Sequence, residues 1–378
     1  MRIVFVVPYF GFPGVVSDTL AGHLAKRGHE IVLVGYLGRK NSLMFQEEAL
    51  RLKEENIQCF FPEAVSISIP SLVTEFPYFL SFKELLEEIQ PDIVHINCLP
   101  FLTSFQSAKV AKKTHWKSVL QVHGVIVQRG FFFNILQETY NYTFGHSTFS
   151  NADRVICLTT SDAEKVSRYG CSPEKLQVIP NGVDVDKFRP MNGETSGLLL
   201  WCGRFVHEKG LEYLIRAFEF IRRKSGGQTV KLTMAGDGPL FPRILQLAEK
   251  SGLGRTVSFI GPIPRKEIPS LMNKSSIYVL PSLNEGMPYA LLEAMACGKP
   301  VIGSDIPGIR DVITHGQNGI LVPPRSPEAF ANAILELLED GDKRRRLGQK
   351  ARELMVKEYS WDAVTREVEM VYSEMLNS

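Results

Sequence analysis

PSLNEGMPYALLEAMACG, residues 281–298, decides the fold. It follows Ile277 to Leu280, an apolar run that reads as a buried strand. Asn284, Glu285 and Gly286 read as a turn, with Pro288 as the first helical residue. Tyr289 to Cys297 then supply an apolar helix, stopped by Gly298 and Pro300. Strand, short loop and helix N-terminus form the place where an open α/β sheet puts its ligand.

Two acids lie in this element, Glu285 before the helix and Glu293 inside it. Nearly everything around Glu293 is apolar, and a carboxylate enclosed there is costly unless hydrogen bonds compensate it. Such a carboxylate suits a ribose diol, and backbone amides near Gly286 and Met287 and beyond Pro288 suit an anion or sugar hydroxyls. A second reading stands beside this one: Glu285 as a solvated acid near the helix cap and Glu293 as a residue facing water.

Outward from this stretch, 378 residues exceed one comfortable core and imply two domains. Hydrophobic residues make up 44% and charged residues 22%, an ordinary globular composition. The formal charge of +2 gives no global signal for nucleic acid, which is not an expected partner. Cys59, Cys98, Cys157, Cys171, Cys202 and Cys297 are scattered without a CxxC pair, so free thiols are expected rather than disulfides or zinc. The opening MRIVFVVPYF runs into strand and helix patterns rather than a cleavage site, and no stretch reaches the roughly 18 apolar residues of a spanning helix. A cytoplasmic protein is expected.

From the N-terminus, strand Ile3–Val7, the loop Pro8–Gly14, a helix Val16–Arg27 and strand Ile31–Gly35 make a βαβ opening without GxGxxG. A helix near Phe45–Glu54, strand Ile57–Phe61, a helix near Phe79–Ile89 and strand Asp92–Ile96 continue the alternation. Strand Lys117–Val122 ends in His123-Gly124, which puts an imidazole at the sheet edge as a ligand contact or a structural residue. His95 is read as structural. Arg129 with Phe131, Phe132 and Phe133 suits an acceptor-site wall, a lipid-facing patch or a packed helix. Ser161 is placed as the cap of a helix ending near Tyr169.

The polar stretch Asn192–Ser196 marks the domain boundary. Strand Gly197–Cys202 leads to GRFVHEKG, residues 203–210, where Arg204 and Lys209 flank a turn before a helix. Two cations with glycines and a helix N-terminus suit a diphosphate; the loop is not a Walker A sequence. AGDGP, residues 235–239, makes the next turn. The domains are read as 1–191, 192–358 and a C-terminal amphipathic helix within 359–378, with Trp361, Val364, Val368 and Tyr372 on one face.

EGMPYALLE (285–293), AMACGKPVIGSDIPG (294–308), IPNGVD (179–184), GRFVHEKG and AGDGP together resemble the retaining glycosyltransferases of family four, glycosyl transferases group 1, over nearly the whole chain. The resemblance implies the GT-B fold: two Rossmann-like α/β domains facing a central cleft, with the C-terminal helix packed back on the first. It also implies site roles. Glu285 would orient donor-sugar hydroxyls, Glu293 would bind the ribose, and Arg204 and Lys209 would grip the diphosphate. Gly203, Asp237, Gly238, Gly286, Met287 and Pro288 would line the donor site, His123 would touch the donor sugar, and Gly14 would belong to a glycine loop near phosphate and acceptor. Relatives often carry paired glycines in that first loop, whereas here Val15 follows Gly14.

The implied reaction transfers a hexosyl group from a nucleoside-diphosphate sugar, UDP- or GDP-linked, to a sugar or lipid-linked acceptor with retention. The chain lacks a DxD-type cluster in a convincing loop, so neither a divalent metal nor a cofactor is expected. Peripheral contact with the inner membrane face accompanies the lipid-linked reading, and the oligomeric state is not legible. A UDP-N-acetylhexosamine 2-epimerase, which needs no acceptor, and a noncatalytic sugar-nucleotide-binding subunit are the alternatives.

Overall fold

The computed structural model describes residues 1–8, 16–37, 52, 56–69, 74–124, 131–224 and 230–378. Gly14 and Arg129 lie outside them, as does the helix expected near Phe45–Glu54 but for Leu52. Two compact units form: Met1–Asn181 with Trp361–Ser378, and Gly182–Ser360. Residues 182–191 join the second unit through side-chain bonds. Arg352 Nη1 donates to the Val185 and Phe188 carbonyls at 2.9 Å, and Asn273 Oδ1 accepts from the Met191 amide at 2.7 Å. The polar stretch at 192–196 that suggested a boundary lies ahead of strand β10 in that unit.

The first unit runs β1 (Arg2–Val7), α1 (Val16–Lys26), β2 (Glu30–Gly35), β3 (Gln58–Phe60), β4 (Ala64–Ile69), β5 (Thr74–Phe79), α2 (Phe82–Ile89), β6 (Ile93–Asn97), α3 (Leu102–Thr114), β7 (Lys117–Val122), α4 (Phe131–Tyr140), α5 (His146–Asn151), β8 (Arg154–Cys157), α6 (Thr160–Arg168) and β9 (Leu176–Val178). A π-helical turn, Asn141–Gly145, joins α4 to α5. Seven strands make one parallel sheet in the order β3-β2-β1-β6-β7-β8-β9, while β4 and β5 form a separate antiparallel hairpin. The central strands β1 and β2 are nearly continuous apolar runs, as befits a parallel sheet covered on both faces. Phe79 ends strand β5, paired with Ala64 across the hairpin, rather than starting the expected helix, which begins at Phe82. Thr159, not Ser161, caps α6, its Oγ1 accepting from the Asp162 amide at 3.0 Å.

The second unit runs β10 (Leu198–Cys202), α7 (Leu211–Lys224), β11 (Lys231–Ala235), α8 (Phe241–Lys250), β12 (Val257–Gly261), α9 (Ile268–Lys274), β13 (Ile277–Leu280), α10 (Tyr289–Ala296), β14 (Val301–Ser304), α11 (Pro307–Arg310), β15 (Ile320–Val322), α12 (Pro327–Glu339) and α13 (Gly341–Glu358). Its sheet order, β12-β11-β10-β13-β14-β15, is the doubly wound arrangement that reverses direction between β10 and β13. Trp201, Phe205, Leu214, Phe218 and Phe330 fill its core. Burying each contributes about 2 kcal/mol.

The final helix, α14 (Trp361–Leu376), belongs to the first unit, as expected. Its Trp361 stacks on His23 of α1 at 5.6 Å between ring centres. Tyr372 reaches the sheet, its hydroxyl 2.6 Å from His95 Nδ1, while His95 Nε2 lies 2.9 Å from Gln121 Oε1. Burial pushes His95 down to about 3, so the ring is neutral and serves as the structural node read from sequence. All six cysteines are free thiols. No helix among the described residues is long and apolar enough to cross a membrane.

Candidate nucleotide-sugar site

The reversal point of the second sheet gathers the sequence-predicted residues of that unit. After β10, the chain passes Gly203, Arg204 and Lys209 before entering α7. This loop is clasped on both sides. The Phe205 amide donates to Asp237 O at 2.8 Å in the loop after β11, and the Leu283 amide donates to Glu208 O at 2.7 Å in the loop after β13. Glycine is needed at Gly210, where φ is +60° and a Cβ would collide with the Pro281 carbonyl oxygen.

Lys209 Nζ lies 2.6 Å from Glu285 Oε1, and the pair is largely enclosed. The same Oε1 accepts from Ser282 Oγ at 2.6 Å. Arg204 is exposed and makes no ion pair among the described residues. Asp237 is exposed too, its Oδ1 accepting from the Gly238 amide at 2.7 Å. Met287 is buried. Pro288 is the helix cap residue rather than the first helical one: its backbone is extended, with ψ of 120°, and α10 starts at Tyr289.

Glu293 does not face water. Only 4% of the residue is exposed, and its Oε1 accepts no hydrogen bond among the described residues although Arg265 Nη2 lies 3.3 Å away. Burial pushes the carboxyl up to about 7, against the pull of Arg265 and then Lys187. Arg352 fixes the helix that carries it, donating to the Ala296 carbonyl at the end of α10 at 2.9 Å. An enclosed carboxylate with an open acceptor can take donated hydroxyls, and an exposed cation such as Arg204 beside backbone amides can meet an anion.

In the first unit, His123 follows β7 with Nε2 3.5 Å from Asn97 Oδ1. Burial lowers its imidazole to about 4. It is therefore a neutral ring at the C-terminal edge of the sheet.

Two family models tile the chain: Glycosyltransferase Family 4 over residues 14–187 and Glycosyl transferases group 1 over residues 184–354. The chain belongs to the group 1, family 4 glycosyltransferases. The N-acetyl-alpha-D-glucosaminyl L-malate synthase of Bacillus anthracis is 27% identical over 98% of this chain and 95% of that protein. An uncharacterized glycosyltransferase of Methanocaldococcus jannaschii is 29% identical over 74% of this chain and 75% of that protein. The crystal structure of Anabaena HepE in complex with UDP matches with a TM-score of 0.79 and 19% identity, covering 99% of this chain and 100% of that one. The fold is GT-B, and the reaction is transfer of a sugar from a nucleoside-diphosphate donor.

Two site residues of this glycosyltransferase were not anticipated from sequence. Ser282 holds Glu285, and its signal was its place at the end of β13, three residues before the acid. Arg265 stands in the polar loop between β12 and α9, where a lone arginine gives no sign of its distant carboxylate partner.

Proposed function

We propose that the glycosyltransferase moves a hexosyl group, with retention at the anomeric carbon, from a nucleoside-diphosphate sugar to a sugar or lipid-linked acceptor. The observation that carries this reading is Glu293, a buried carboxylate with an open acceptor oxygen next to the sheet's reversal point. In this reading Glu293 receives the two ribose hydroxyls. Glu285, held by Lys209 and Ser282, presents its other oxygen to the donor sugar. Arg204 and Lys209, with backbone amides of the Gly203 and Gly286 loops, meet the charge that grows on the departing diphosphate. Lys209 leaves Glu285 in part to do so. Gly238, Met287 and Pro288 shape the walls, His123 touches the donor sugar, and Gly14 belongs to the acceptor-side loop.

The leaving diphosphate takes the acceptor proton on the face from which it departs, so no enzyme carboxylate forms a covalent adduct. Because HepE was crystallised with UDP, uridine donors are the first class to test, with GDP-mannose beside them. Incubation with radiolabelled UDP-glucose, UDP-N-acetylglucosamine or GDP-mannose and a mixed acceptor pool should give transfer, or slow donor hydrolysis, that survives EDTA. Anomeric NMR of the product should show retention. An inverted product, or activity that EDTA abolishes and only a divalent ion restores, would refute the mechanism. Interconversion of UDP-N-acetylhexosamine epimers without acceptor would replace it with epimerisation.

A further inference from the structure

The first unit carries an apolar surface on the hairpin and on the helices after it. Val65 and Ile67 of β4 are 58% and 57% exposed, and Tyr78, opposite Val65 on β5, is 45% exposed. Burial runs the other way on the reverse face, where Phe79 is fully enclosed. The hairpin thus turns its apolar side outward, which a two-stranded ribbon in water gains nothing by doing.

Contacts carry this face onward. Ile67 pairs with Phe76, whose ring lies 5.8 Å from that of Phe101. Tyr140 donates to the Phe101 carbonyl at 3.2 Å and stacks on Phe144 at 5.5 Å. Leu136, one turn before Tyr140, is 57% exposed, and Phe144 is 42% exposed. Phe144 meets Phe105 of α3 edge-on, and Lys109 Nζ sits 5.4 Å above the Phe105 ring.

Charge tells what would cover it. On the elements of this face, α3 holds Lys109, Lys112 and Lys113, β4 holds no charge, and the acids are Glu75 of β5 and Glu138 of α4. Glu138 is engaged by the Tyr169 hydroxyl at 2.7 Å. Lys109, Lys112 and Lys113 are exposed on α3, which has no acidic residue. Apolar and tyrosine side chains edged by these lysines match the boundary of an anionic bilayer, where the former enter the headgroup region and the latter meet phosphates.

We infer that the face formed by β4, β5, α3 and α4 docks the glycosyltransferase on an anionic membrane surface. This deepens the lipid-linked half of the proposed function, since it brings the acceptor-side unit to a lipid-borne substrate. Its exposed members are Val65, Ile67, Tyr78, Leu136 and Phe144; Arg129 and the Phe131–Phe133 side chains lie outside the described residues.

The test is sedimentation of the full chain with vesicles of phosphatidylcholine alone and with phosphatidylglycerol added, at moderate salt. Wild type should pellet with the anionic vesicles only. Val65→Thr with Ile67→Thr, which keeps strand-forming side chains, should weaken that affinity at least fivefold, as should Lys109→Gln with Lys112→Gln and Lys113→Gln. Nucleotide-sugar binding, measured on the same proteins, should not change; its absence in wild type would refute the transferase reading and leave the docking result standing. Wild type that ignores anionic vesicles, or variants that pellet as well as wild type, would overturn the docking face. A dimer in light scattering that the threonine pair dissociates, with no vesicle binding, would assign the face to a second copy instead.

Discussion

Glu285 Oε1 is shared by Lys209 Nζ and Ser282 Oγ, each 2.6 Å away, so one carboxylate oxygen is committed within the protein, and in the proposed reading the other meets the donor sugar. Ser282 is fully buried, and its side chain has this acid as its partner. Ser282→Ala should cost about 1 kcal/mol of stability and lower kcat severalfold with a smaller change in KM for the donor. Lys209→Ala should lower turnover about a hundredfold by removing a preorganised charge. Steady-state kinetics on folded variants checks both, and wild-type turnover in the lysine variant would remove it from the phosphate site.

In the proposed reading, Glu293 makes donor binding sensitive to pH near neutrality. Its carboxyl titrates at about 7 in the folded chain against an ordinary 4.5. The folded state thus holds this proton more tightly, and stability is lost as pH rises from about 4.5 through 7, by about 3 kcal/mol. Glu293→Gln should flatten that part of the stability profile and be more stable than wild type at pH 8. Donor affinity in wild type should fall as pH drops from 8 to 6, because the ionised carboxylate is the better acceptor. Arg265→Ala removes the main opposing charge and should move both transitions to higher pH. Titration calorimetry and thermal melts across this range decide it; a Glu293→Gln melt profile parallel to wild type would contradict the assignment.

Gly308, at the start of α11, abuts the loop that carries Glu285. A Cβ there would overlap the Gly286 carbonyl oxygen and crowd that of Glu285. Gly308→Ala should therefore push the Glu285–Gly286 backbone away, costing about 2 kcal/mol and most of the turnover. Activity equal to wild type would show that the loop's position does not matter to the reaction.

Tyr372 ties α14 to the sheet through His95. Tyr372→Phe leaves a buried imidazole nitrogen unpaired, at about 2 kcal/mol, and should free the C-terminal helix for limited proteolysis. Tyr372→Phe together with His95→Phe and Gln121→Leu should recover part of that loss, since His95 also bonds Gln121 and all three linked polar groups are then gone. A triple variant no more stable than Tyr372→Phe would argue against the cluster.

The second unit was the more legible half. Strand Ile277–Leu280 has the bounds that its apolar run suggests. A buried parallel strand must be apolar throughout, so its ends are where polarity returns. The hairpin of β4 and β5 escaped notice for the opposite reason. AVSISI alternates like a half-buried strand, but its apolar face is outside, and no local rule distinguishes that from a loop with scattered hydrophobes. Helix α3 hides differently: its buried residues are Thr103, Ser104, Gln106, Ser107, Ala108 and Ala111, so its inward stripe is polar at four positions and carries only alanine at the other two. Gln106 is spent on the Phe79 backbone, donating to its carbonyl and accepting from its amide.

At the site, spacing singled out Arg204, Lys209, Glu285 and Glu293 but did not show how they pair. Lys209 and Glu285 are distant in sequence and were given separate duties, phosphate and sugar; folding joins them because the loops after β10 and β13 flank the sheet's reversal. Glu293 could be read either way from its neighbours, and its enclosure is set by α10 packing rather than by any residue beside it.

Binding of nucleotide sugars to the intact chain tests the central claim most directly. UDP-glucose, UDP-N-acetylglucosamine, UDP-galactose and GDP-mannose, with free UDP and GDP, should be titrated into wild type and Glu293→Ala. The account predicts that wild type prefers one base, that the free diphosphate retains much of the affinity, and that Glu293→Ala loses at least tenfold. Folded wild type that binds none of them, or a variant that binds as tightly as wild type, would contradict it.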